Sequence, residues 1–142
     1  MTAEKIDEFG QFEYWLEERN ILIIRLVDRT GEKEIDQEDA RYSLLVQQRL
    51  FKKQGNKLLI LADLGDLSKI NKAAREFAKS NEGQAINDYT LAYALIAPNR
   101  LNRMLGNMFG RIFRRTYPIK MFISEKKAIA WLLEQRVALS AQ

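Results

Sequence analysis

The chain has 142 residues, 46% apolar and 30% charged, with seven Gly and two Pro, a globular composition that excludes disordered and collagen-like classes. It contains no Cys and no His, which excludes thiol nucleophiles, disulfides, Cys/His zinc sites, histidine bases and Ser-His-Asp triads. The net charge of +4 hides a gradient: residues 1–39 carry five basic and twelve acidic groups, residues 40–97 nine and five, and residues 98–142 nine and two. Such asymmetry fits ends that lie near each other, ends that meet across a dimer, or an anionic partner for the basic part.

In chain order, residues 1–10 are acidic and lack an apolar stretch of signal-peptide length, and they are expected to form a loosely ordered amino-terminal segment. Residues 11–17 alternate with Phe12, Tyr14 and Leu16 on one face, which predicts a short edge strand. Glu18-Arg19-Asn20 reads as a turn, and the β-branched run 21–27 returns as the hairpin partner. Asp36 caps a helix over 36–54, with Glu38 and Asp39 complementing its dipole, a stripe of Ala40, Leu44, Gln47 and Phe51, and a stop near Gly55. Tyr42, Leu45, Val46 and Leu50 lie outside that stripe, and this apolar surplus predicts a homodimer.

Residues 57–63 form a buried-strand pattern that ends in a carboxylate, and 64–70 read as a loop. Asn71 caps a short helix bearing Ala74, Phe77 and Ala78, stopped by Gly83. A second apolar strand spans 90–97, a third helix spans 99–115, and a fifth strand spans 119–123. Ser124 caps a last helix that presents Ala128, Trp131, Leu132 and Gln135. The order ββαβαβαβα predicts one α/β domain over residues 1–142, with a five-stranded, mainly parallel mixed sheet built by right-handed crossovers. The longest apolar run, 91–98, falls far short of the roughly 20 residues that cross a bilayer, so a cytoplasmic protein is expected.

Several segments together resemble a known family. Leu58-Leu-Ile-Leu-Ala-Asp-Leu-Gly65, followed by Ala73-Ala-Arg-Glu-Phe-Ala78, is similar to the STAS, or SpoIIAA-like, domains. The closer likeness is to uncharacterised bacterial STAS-like proteins, carried by Ala92-Tyr-Ala-Leu-Ile96, Pro118-Ile-Lys-Met-Phe122 and Ala128-Ile-Ala-Trp131-Leu132. The likeness covers roughly residues 12–135, and its motifs are packing signatures, which carry fold rather than activity. In the anti-sigma-factor antagonists of this fold a phosphorylatable Ser opens the helix after the third strand. This chain has Lys72 at that place, with Ser68 upstream, so the resemblance implies the scaffold without the phospho-switch. Similar folds in CRAL-TRIO lipid-transfer domains extend the implication to a buried lipid pocket, which no motif of this sequence supports directly.

Asp63 and Asp66 lie past the carboxyl end of a strand, where α/β sheets bind ligands, and two carboxylates at that spacing suit a hard cation. The alternative is a turn in which Asp63 accepts backbone N–H bonds and Asp66 is solvated. Gly65 is isolated, and neither a GxGxxG nor a Walker sequence accompanies it. Along helix 99–115, Leu101, Met104, Leu105, Met108, Phe109, Ile112 and Phe113 make a broad apolar face, with Gly106 and Gly110 between that face and a stripe of Arg100, Arg103, Arg111 and Arg114. A second basic row holds Lys69, Lys72, Arg75 and Lys79. Aromatic residues are not interleaved with basic ones, so sequence-specific nucleic-acid binding is not expected.

The leading expectation is a non-catalytic STAS-like binding or regulatory module without a cofactor. It would act on a protein partner or a small apolar or anionic ligand through Asp63, Gly65, Asp66, Ser68, Asn71 and Lys72. The first alternative is an anionic-surface or lipid binder using Arg100, Arg103, Arg111 and Arg114. The second is an enzyme built on Asp63 and Asp66.

Overall fold

The computed structural model describes residues 2–27, 29–65, 67–97 and 116–140. The predicted helix 99–115 with its four stripe arginines, and Asp66, lie outside the described residues. The chain opens with a meander of β1 (Ala3–Phe9), β2 (Phe12–Glu17) and β3 (Ile21–Leu26), each antiparallel to the next. The β2–β3 turn closes where Asn20 takes a positive φ of 67°, which Asn tolerates better than most residues. Next come β4 (Glu34–Ile35), α1 (Gln37–Gln54), β5 (Leu58–Asp63), β6 (Lys69–Ile70) and α2 (Lys72–Lys79). The short helices α3 (Asn81–Gln84) and α4 (Ile86–Tyr89) lead into β7 (Thr90–Ile96). After residues 98–115 come β8 (Ile119–Phe122) and α5 (Glu125–Ser140).

The main sheet has six strands in the order β1-β2-β3-β5-β7-β8, and β3, β5, β7 and β8 run parallel. The mainly parallel α/β architecture with a central β5 is as expected, but the sheet is one strand wider than the sequence suggests. Residues 3–9 form β1 rather than a loose segment, so β2 is an interior strand and not an edge. The 64–70 loop also contains β6, whose two residues pair with β4.

Helix α1 starts as predicted. The Asp36 carboxylate accepts from the Asp39 N–H at 2.8 Å and the Asp39 carboxylate accepts from the Asp36 N–H at 3.1 Å, a reciprocal capping box. Gly55, at φ 76°, closes the helix by donating to the Phe51 carbonyl. Helix α2 begins at the Asn71 cap, whose side chain accepts from Ala74 N–H at 2.9 Å, but it ends at Lys79 rather than at Gly83. Gly83 sits inside α3, where a Cβ would collide with the Phe77 carbonyl oxygen.

The helices cover both sheet faces. Helices α1, α2 and α4 pack on the face that carries Tyr14, Leu22, Ile24, Ile60, Tyr93 and Leu95. Helix α5 packs on the other face, against Ile21, Ile23, Leu59, Leu61, Ala92 and Ala94. Val46 and Leu50 of α1 are buried, and the Tyr42 ring stacks on Phe9 at 4.3 Å. The apolar surplus from which the homodimer was predicted is therefore largely covered within the chain, by the sheet and by β1. Among the described residues no helix is long and apolar enough to cross a membrane.

Candidate functional site

Between the sheet and the α1/α2 layer lies a cavity of about 120 Å³. Phe12, Ile24, Ala62 and Tyr93 form its floor; Ala40, Ser43, Leu44 and Gln47 come from α1, and Ala74, Arg75, Phe77 and Ala78 from α2. Leu64, Ile70 and Ile86 close further parts of the wall. The lining follows from local structure. Alternation along β2, β3 and β5 sends Phe12, Ile24 and Ala62 to one face, and Ala40, Ser43, Leu44 and Gln47 recur at helical spacing on the inward side of α1. Small residues at Ala40, Ala62, Ala74 and Ala78 leave the space open, because no side chain there reaches across the layer.

One corner of this apolar space is polar. Gln47 is 2% exposed, its Nε2 donates to Ser43 Oγ at 3.2 Å, and its Oε1 is buried without a hydrogen-bond partner. Buried amide atoms are nearly always paired, so this one calls for an explanation. The Tyr14 hydroxyl is also buried and lacks a hydrogen bond of good geometry, although Ser43 faces it. Burial pushes the Tyr14 phenol above its ordinary range, partly offset by Ser43, and burial raises Tyr93 likewise. Both phenols are therefore neutral at physiological pH. Arg75 is exposed on α2 and places its side chain at the cavity wall.

Of the predicted site residues, the described ones (Asp63, Gly65, Ser68, Asn71 and Lys72) lie beside this cavity rather than in its lining. Asp63 ends β5 and accepts from Arg25 at 3.3 Å and from the Gly65 N–H at 3.2 Å. Arg25 also binds Glu125, at the start of α5, at 3.0 Å. The three side chains are each about 30% exposed, so each pair is worth at most about 1 kcal/mol. Gly65 turns the loop at φ 49°. Ser68 is exposed and anchors its backbone by donating to the Lys33 carbonyl. Asn71 caps α2, and Lys72 is 83% exposed with a loose 3.8 Å contact to Glu76. Of the second basic row, Lys69 lies in β6, whereas Lys72, Arg75 and Lys79 are exposed on α2. Among the described residues no group of three or more acidic side chains is placed to hold a metal ion.

A second buried polar node lies in the first turn of α1. Asp39 is 3% exposed and its Oδ1 accepts from the Gln11 N–H at 3.0 Å. Burial raises its carboxyl above the ordinary value, opposed by the hydrogen bonds from the Asp36 and Gln11 backbones. Gly10 precedes it with φ 54°, and a Cβ there would strike Asp39 Oδ1. This node fastens the β1–β2 turn to the helix. The composition of the first helical turn suggested only a dipole role for Asp39.

A crystal structure of an uncharacterised protein of the DUF3478 family from Shewanella loihica PV-4, described as having a SpoIIAA-like fold, superposes with a TM-score of 0.59. The alignment covers 85% of this chain and 91% of the other at 16% identity, a likeness of fold alone. No curated protein matches the chain. The sequence matches the family described as Domain of unknown function (DUF7793) over residues 14–136. The chain therefore belongs to the DUF7793 family and has a SpoIIAA-like fold.

Proposed function

We propose that the chain acts as one non-catalytic binding module that takes a small ligand with an apolar body into the cavity between the sheet and the α1/α2 layer. The observation that carries this reading is the cavity itself: about 120 Å³ of space bounded mainly by apolar side chains in an otherwise close-packed core. Dry apolar cavities of about 150 Å³ hold a single aromatic ring, so a ligand of that scale is the natural occupant. Catalysis has little support, because Asp63 is committed to Arg25 and to the Gly65 turn. The segment from Gly65 to Lys72 runs between two lining residues, Leu64 and Ile70. Filling the cavity would thus be felt at the loop expected to meet a protein partner.

The test is a backbone amide NMR titration with toluene, on wild type and on Ala40→Leu, which puts three more carbons into the space. Saturable shifts confined to residues around the cavity, and weakened by Ala40→Leu, are expected. Absence of saturable binding, or equal binding by the variant, would overturn the proposal.

A further inference from the structure

We infer that the cavity takes a monocarboxylate on an apolar body of about one ring, with the ring inside and the carboxylate held at the mouth by Arg75. This rests on the binding-module reading above and adds the chemical class of the ligand.

Among the described residues that line the cavity, Arg75 alone is exposed and Arg75 alone is charged. The other polar side chains of the wall are neutral: Ser43, Gln47 and Tyr93, whose phenol burial raises above its ordinary range. An exposed residue in the wall of an otherwise covered space marks where that space meets solvent. Arg75 therefore stands at the mouth.

Its guanidinium is also uncommitted. Arg19, Arg25, Arg29 and Arg41 each pair with a carboxylate, whereas the Arg75 side chain has no ion pair or hydrogen bond among the described residues. The neighbouring acid on α2, Glu76, has its 3.8 Å contact with Lys72 instead. Lys79, one turn beyond Arg75 on the same helix, adds a like charge. An anion at the mouth thus meets positive charge that no neighbouring acid offsets.

A carboxylate suits this place better than a phosphate. It is planar, accepts two parallel hydrogen bonds from one guanidinium, and carries the single charge that one arginine balances. A phosphate group, at about −1.5 to −2 near neutral pH, would leave charge over. Because Arg75 is exposed, the ion pair keeps contact with water and avoids the cost of a buried charge, while the ring fills the apolar space behind it.

Benzoate and benzamide have the same shape and number of heavy atoms and differ in charge. Their affinities, with toluene beside them, are to be measured by NMR titration at neutral pH and low salt on wild type, Arg75→Gln and Lys72→Gln. Lys72 is exposed on α2 but does not line the cavity. The benzoate-to-benzamide affinity ratio is expected to fall about fivefold in Arg75→Gln, the scale of one exposed charge pair, and to stay within about twofold in Lys72→Gln. In wild type, benzoate should also move the Arg75 Nε–H resonance more than benzamide does, a measurement that needs no variant. An unchanged ratio in Arg75→Gln, an equal fall in Lys72→Gln, or an Arg75 resonance indifferent to benzoate would overturn carboxylate recognition, and toluene binding would leave the binding-module reading intact. Failure of all three rings to bind would overturn the two together.

Discussion

The two faces of the sheet are built from similar strands and are packed differently. On the α5 face, Ala92 and Ala94 of β7 leave room for the helix to approach, and Ala128, Ile129 and Leu132 fill the seam to 3% exposure or less. On the α1/α2 face the same strand presents Tyr93 and Leu95, strand β2 presents Phe12 and Tyr14, and the helices answer with Ala40, Ala74 and Ala78. Large residues meet small ones on both faces, but only on the first does the helix close the gap. The second face also carries the buried polar atoms of Gln47 and Tyr14. The difference is that one layer is closed by its helix while the other keeps a cavity, the space that the proposed ligand would fill.

Truncation should give the largest contrast. Leu61→Ala, at a fully buried site on the α5 face, is expected to cost about 3 kcal/mol, and Leu44→Ala, at a half-buried site that lines the existing cavity, about 1 kcal/mol. Urea unfolding measures both, and equal costs would erase the distinction between the faces. Enlargement should reverse the pattern. Ala94→Leu has no room beside α5 and is expected to destabilise by about 2 kcal/mol, while Ala40→Leu stays within about 0.5 kcal/mol of wild type or gains stability.

The smallest effect concerns charge in the α1 layer. Because the native Asp39 carboxyl is raised above its ordinary 3.8, the folded state holds a proton that the unfolded state has released anywhere between those two values. The stability contributed by this group therefore grows as pH falls through that window and is lost as pH rises above it. Melting curves of wild type and Asp39→Asn across acidic pH should move in wild type's favour as the pH drops. Movement in the opposite direction would contradict the burial-dominated shift.

Patterning in the sequence reaches most of this architecture, for identifiable reasons. The α1 cap was legible because Asp36 stands just before a helical run with Glu38 and Asp39 in its first turn, although the reciprocal bond to Asp39 was not, and β5 was legible as an unbroken apolar run. Strand β1 was not, because Glu4, Lys5, Asp7 and Glu8 interrupt its apolar residues and a register shift between Lys5 and Asp7 breaks the alternation. The expected loop site rested on polar residues after a strand, and several of those described have structural partners. The cavity was hidden because its walls are drawn from several distant segments whose residues are individually ordinary. Gln47 did leave a trace, as the single amide in an otherwise apolar and aromatic stripe of α1.

The irregularity at Ile6 has a further consequence for how the molecule behaves among its own copies. A smooth seven-residue edge strand would offer a row of N–H and C=O groups to any other chain, the usual route to sheet-to-sheet aggregation. Strand β1 shifts register beside Ile6 and carries four charges within its seven residues, both of which oppose the addition of another strand. An edge that looks poorly made as a strand is, for that reason, well made as a boundary.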